Sequence, residues 1–162
     1  MKKLLPLVFL IATLFTSCEQ INDDRIPPVS VNIEFSNVGM WNTYGPAAAT
    51  DFRYFIKSER YPINFPYTGS TYTGWGGVLV VCDIMNTPRA FDLSCPVEAK
   101  NNIRIKVDKE KLEAVCPSCG SRFDVFDTPG YPLSGPAHEK KYGLKQYHVY
   151  GPNEYGGYII RR

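Results

Sequence analysis

The amino-acid sequence predicts an all-β domain. Three observations carry that expectation. Aromatic side chains make up 14% of the 162 residues, eleven of them Tyr, and such residues favour strands. Thirteen Gly and thirteen Pro supply turns at short intervals. Several short runs alternate apolar and polar residues, and no long segment carries the 3.6-residue apolar repeat of a helix. With 44% apolar and 21% charged residues the chain suits one globular domain with its own core and lacks the bias of a disordered one.

The N-terminus stands apart from that domain. Met1-Lys2-Lys3 is a short basic start, and residues 4–15 are apolar. That stretch falls well short of the ~20 residues of a membrane-spanning helix. Thr16-Ser17-Cys18 closes it. The segment resembles the signal sequence of a bacterial lipoprotein, which is cut before a cysteine that then carries lipid. The resemblance implies a signal peptide over 1–17 and a lipid anchor on Cys18. The protein would then sit at a membrane, facing the periplasm or the cell surface. An ordinary secretory signal with a chance cysteine is the alternative. Removing residues 1–17 takes away Lys2 and Lys3, so 16 basic side chains face 16 acidic ones. A neutral body gives no electrostatic footprint for nucleic acid. Residues 18–30 are polar, with Asp23-Asp24 and Pro27-Pro28, and read as a tether; the domain follows over 31–162.

The strands can be placed in order. Val31–Phe35 alternates, as a half-buried strand does. Residues 40–76 are rich in Tyr, Gly and Pro with weak periodicity, and 52–56 suit a strand or a short helix. Tyr61, Phe65, Tyr67, Tyr72 and Trp75 suit either a sugar- or partner-binding face or the packing of a β core. Val78–Cys82 is wholly apolar, the pattern of a fully buried strand. The Asn86-Thr87-Pro88 turn folds residues 89–93 back on it, a hairpin leading into Cys95. Ile103-Arg104-Ile105-Lys106-Val107 alternates strictly and is the clearest strand. Residues 108–113 suit one helical turn. Residues 123–126 form a further strand before Thr128-Pro129-Gly130, and 144–150 with 158–160 form a closing hairpin across Pro152-Asn153.

Five cysteines are too few for a disulfide-built scaffold of this length. Beyond Cys18 they are Cys82, Cys95, Cys116 and Cys119. Three lie in two segments, Ala90-Phe91-Asp92-Leu93-Ser94-Cys95-Pro96 and Cys116-Pro117-Ser118-Cys119-Gly120-Ser121-Arg122-Phe123-Asp124, and Gly135-Pro136-Ala137 follows. In this order, over residues 77–162, they resemble the Rieske iron–sulfur family. That family has a first box Cys-Pro-His, a second box Cys-Pro-x-His-Gly-Ser-x-Phe and a Gly-Pro-Ala loop over the cluster. The resemblance implies an antiparallel β sandwich with a small loop-rich cluster-type subdomain, a [2Fe–2S] cofactor and one-electron transfer. The ligands depart from the pattern. A Rieske centre takes two thiolates on one iron and two imidazoles on the other. Val97 stands at the first histidine position and Cys119 at the second, while Cys95 and Cys116 match the cysteine ligands.

Four uses of these thiols stay open. A [2Fe–2S] cluster could sit on Cys95, Cys116, Cys119 and a fourth ligand. Thiolate in place of imidazole would draw its potential from about −150 to +300 mV towards about −400 mV. Zinc could use the Cys-x-x-Cys half-site at 116–119 with Cys95 and the same fourth ligand. Candidates for that ligand are Cys82, Glu98 and His138. Cys82 otherwise serves as a small core residue, and His138 as a surface residue beside Glu139-Lys140-Lys141. A disulfide from Cys95 to Cys116 or Cys119 would join the loops without a cofactor and add about 3 kcal/mol by loop closure. Thiol exchange at Cys116 and Cys119 ranks last, since such motifs open helices and this one leads into a strand. His148 is expected as an ordinary strand residue. Gly74-Trp75-Gly76-Gly77 precedes a strand and so is no phosphate loop, no Gly-x-Ser-x-Gly elbow occurs, and two histidines leave little for a triad. The expectation is thus an extracytoplasmic lipoprotein that is at most a redox component. The other expectation is a cofactor-free structural or binding protein, or one with structural zinc.

Overall fold

The computed structural model describes residues 20–162; the signal segment and Cys18 lie outside the described residues. The fold is all-β, with two antiparallel sheets. Strands β1 (Val31–Phe35), β2 (Phe52–Phe55), β3 (Tyr72–Thr73), β4 (Val78–Cys82) and β5 (Pro88–Asp92) belong to the larger sheet. Strands β6 (Lys106–Asp108), β7 (Glu113–Val115), β8 (Arg122–Asp124) and β9 (Pro132–Ser134) form a four-stranded sheet. The chain then returns through β10 (Gln146–Tyr150) and β11 (Tyr158–Arg161) to complete a seven-stranded order β2-β4-β5-β10-β11-β1-β3. Two short helices, α1 (Val38–Tyr44) and α2 (Pro136–Lys140), fill connections. Among the described residues no helix is long and apolar enough to cross a membrane.

Strand β4 explains the architecture. All five of its residues are buried. A strand covered on both faces needs apolar side chains at every position, not at alternate ones. Val78 and Val80 join one core with Ile33, Phe35, Phe55, Phe65 and Ile160. Leu79 and Val81 join a second core with Phe91, Leu93, Phe123, Cys95 and Cys116. The large sheet curls around the first core, and the small sheet with its loops covers the second.

Within the aromatic run from Tyr61 to Trp75, Phe65 and Tyr67 supply packing. Phe65 is buried and meets Phe55, Tyr44 and Tyr67 with ring centroids 5.1, 5.3 and 4.8 Å away. Tyr61 and Tyr72 are exposed. Asn37 caps α1 by accepting the Met40 N–H at 3.0 Å. This sets Trp41 edge-on against Phe35 at 5.0 Å.

Three segments differ from the sequence expectation. The alternating run at 103–107 is divided between the sheets. Cys95 N–H donates to the Ile103 carbonyl at 3.1 Å and Ile105 N–H to the Leu93 carbonyl at 2.8 Å, while β6 starts at Lys106 and pairs with β7. Residues 109–112 form a turn and no helix: the Asp108 carboxylate accepts the Glu110 and Lys111 N–H groups at its start, and Leu112, left-handed at φ 54°, ends it before β7. The stretch 22–26 lies along the body. Asn22 N–H donates to the Lys141 carbonyl (2.8 Å) and its own carbonyl accepts Gly143 N–H (2.9 Å). Asp24 pairs with Lys145, Arg25 stacks 4.7 Å from the Tyr142 ring, and Ile26 is buried.

Candidate metal centre

Two turns of one form build the site. Cys95-Pro96-Val97-Glu98-Ala99 follows β5, and Cys116-Pro117-Ser118-Cys119-Gly120 follows β7. In each, the proline after the cysteine pre-sets the turn. The fifth N–H closes it, Ala99 to the Cys95 carbonyl at 2.8 Å and Gly120 to the Cys116 carbonyl at 3.0 Å. Both fifth residues are left-handed, at φ 50° and 72°. Glycine takes that conformation freely, whereas alanine does so at a cost of about 1–2 kcal/mol.

The turns face each other. The sulfurs of Cys95, Cys116 and Cys119 all lie within 4.8 Å of one another, with Cys95 and Cys119 3.6 Å apart. The first two thiols are fully buried and Cys119 is half-buried. All four cysteines of the described residues are unbridged, and 3.6 Å is a non-bonded contact, far from the roughly 2.0 Å of a disulfide.

Electrostatics divides the three. Burial pushes the Cys95 and Cys116 thiols above the ordinary thiol range, although backbone N–H groups of Val97 and Glu98, and of Ser118 and Cys119, oppose it. Burial acts on Cys119 too. There the hydroxyl and N–H of Ser121 and the neighbouring thiols outweigh it and hold Cys119 below the ordinary range. Its sulfur lies 3.1 Å from Ser121 Oγ, which accepts the Ala137 N–H at 3.0 Å. The Gly135-Pro136-Ala137 segment is thereby tied to the second turn. Ser121 has no metal-ligand chemistry of its own, and only the folded geometry marks it as a partner of Cys119.

Three thiols so placed can hold a metal ion. Binding removes their protons, so a cation reverses the preference of the two buried thiols for the neutral form. The backbone N–H groups of Val97, Glu98, Ser118 and Cys119 favour that ionised state. Neither Cys82 nor His138 joins the group. Cys82 shares the parity of Val78 and Val80, away from the other cysteines. Its thiol lies 3.7 Å from the Pro46 carbonyl, and burial, with Asp51 and Asp83, pushes it up to about 11. His138 is exposed on α2, and His148 is exposed on β10 with its ring 6.0 Å from Tyr150. Glu98 is half-buried, and its Oε1 accepts the Ser118 hydroxyl at 3.1 Å.

A Rieske cluster does not fit this donor set. Such a cluster needs two imidazoles, whereas the three grouped side chains are all thiols, Val97 packs against the core beside them, and neither histidine joins them. Compared with known family models, curated proteins and solved structures, the chain has no match.

Proposed function

We propose that the chain is a lipid-anchored extracytoplasmic protein whose Rieske-like β domain carries a three-thiolate centre for one metal ion, with zinc as the preferred occupant. The spacing of the sulfurs is the observation that carries this reading. A tetrahedral ion with metal–sulfur bonds of about 2.3 Å spaces its sulfurs about 3.8 Å apart. Cys95 and Cys119 are 3.6 Å apart, and no pair among the three exceeds 4.8 Å. A binuclear cluster places its thiolates on two separate irons and needs a wider spread. Soft thiolates in tetrahedral array favour zinc or iron–sulfur among the common choices. The ion would join the two turns and so staple the small sheet to the second core. An iron–sulfur cluster is the second reading, favoured by the order of the cysteine segments and the Gly-Pro-Ala loop.

The anchor follows from Thr16-Ser17-Cys18 after an apolar segment. Three residues lie between Cys18 and Asn22, a span of four residue steps, so a lipid on Cys18 would hold the body within about 14 Å of the membrane surface. The Cys18→Ser protein is expected in the soluble fraction, where the wild-type chain partitions with membranes.

Metal and sulfide analysis of the protein, with a thiol count after unfolding in chelator, tests the centre. The expected result is one zinc per chain, no sulfide, and Cys82, Cys95, Cys116 and Cys119 all reactive. Iron with equimolar sulfide and visible absorbance would replace zinc with the cluster. Two missing thiols and no metal would establish a disulfide and overturn both.

A further inference from the structure

Resting on the metal-centre reading above, we infer that Glu98 supplies the fourth ligand, giving a site of three thiolates and one carboxylate for a divalent thiophilic cation. The inference starts from the likeness of the two turns. Position by position, Cys95 corresponds to Cys116, Pro96 to Pro117, Val97 to Ser118, Glu98 to Cys119 and Ala99 to Gly120. Both turns close with the same bond from the fifth N–H to the first carbonyl. Both end left-handed. The fourth residue therefore leaves an equivalent backbone in each turn.

In the second turn that fourth residue is Cys119, whose sulfur crosses to within 3.6 Å of Cys95 in the first turn. The reciprocal relation sends Glu98 from the first turn towards the second. It does reach across, since its Oε1 accepts the Ser118 hydroxyl at 3.1 Å. Held on the Ser118 hydroxyl, the carboxylate does not belong to the sulfur group. Exchange of the Ser118 hydrogen bond for a metal–oxygen bond completes four donors.

The chemistry of the fourth donor sets the choice of ion. Zinc accepts carboxylate oxygen beside thiolate, whereas a monovalent copper site takes soft sulfur donors. A carboxylate also adds a negative charge that favours a divalent ion. No His, Asp, Glu or further Cys of the described residues groups with the three sulfurs, and among the acidic side chains only Glu98 is held to one of the two turns from the other, through Ser118.

The test uses the full-length chain in mild detergent, with zinc(II) titrated against a chromogenic chelator and cobalt(II) as the spectroscopic probe. Glu98→Gln is expected to weaken zinc binding by about 10- to 100-fold or more, since removing even the groups that support a ligand costs that much. The melting temperature of the metal-free protein should stay unchanged. Glu98→Cys is expected to restore tight binding and to raise the thiolate-to-cobalt charge-transfer absorbance above wild type. Unchanged zinc affinity in Glu98→Gln, or an unchanged cobalt spectrum in Glu98→Cys, would overturn the inference alone. A wild-type chain that binds no zinc would overturn the metal-centre reading and this inference with it.

Discussion

Asp92 shows at the scale of one residue how a buried charge positions a loop. It has no exposed surface, and its carboxylate accepts the N–H groups of Trp75 (3.0 Å), Gly76 (3.2 Å) and Ser94 (2.7 Å) and the Tyr147 hydroxyl (2.7 Å). The bond to Ser94 fixes the residue that precedes Cys95. Asp92→Ala should cost roughly 3 kcal/mol, the scale of removing charged hydrogen bonds and orphaning their donors. Chemical denaturation would measure it. Gly76 lies against the same carboxylate because nothing larger fits: a Cβ there would stand 2.1 Å from Ser94 Oγ. Cys82 gives a pH dependence. Its thiol titrates near 9 when unfolded and near 11 when folded, so above pH 9 the unfolded chain releases its proton first. Its contribution to stability is whole below pH 9 and is lost as pH rises towards 11. Melting temperatures across that range should fall less steeply in Cys82→Ala than in wild type. The cysteine trio was legible in the spacing of two Cys-Pro segments, but the exclusion of Cys82 was not. An alternating strand tells which face each residue takes, and β4 is apolar throughout, so its pattern conceals the parity.

At the scale of elements, the strap at 22–26 most departs from expectation. Its composition is polar, with Ile26 before Pro27-Pro28. Sequence reading weighs average polarity, whereas docking needs only one buried side chain and a few backbone bonds. Ile26→Ala is expected to destabilise the domain by about 2–4 kcal/mol, the usual cost of truncating a buried Ile. Limited proteolysis should then release residues 20–30 faster than in wild type, and an unchanged cleavage rate would argue against a docked strap. The central hairpin was legible because Val78–Cys82 and the Asn86-Thr87-Pro88 turn carry their own signals. The division of 103–107 between two sheets was not, since an alternating run shows that a strand exists and not which neighbours it pairs with. Helix α1 escaped notice for a related reason. Seven residues are too few for a helical period to emerge, and its stability comes from Trp41 packing on Phe35 and Tyr158.

For the whole molecule, the proposed ion links two loops that close the second core beneath the small sheet. The domain has cores of its own, so it should fold without metal and gain stability when loaded. Zinc at 100 times its Kd adds about 2.7 kcal/mol, which raises the melting temperature of a domain this size by roughly 5–10 °C. Chelation should remove that gain, and Cys95→Ser should show neither the gain nor the loss. All-β architecture was legible from composition, since β-rich sequences advertise turns and aromatics. The metal is harder to read, because three thiols of one spacing serve an ion, a cluster or a disulfide until their distances are known. The most direct measurement is X-ray absorption at the metal edge of the purified wild-type chain. The account predicts one zinc with three sulfurs at about 2.3 Å and one oxygen at about 2.0–2.2 Å. An iron edge with a second metal in the neighbouring shell, or the absence of any bound metal, would contradict it.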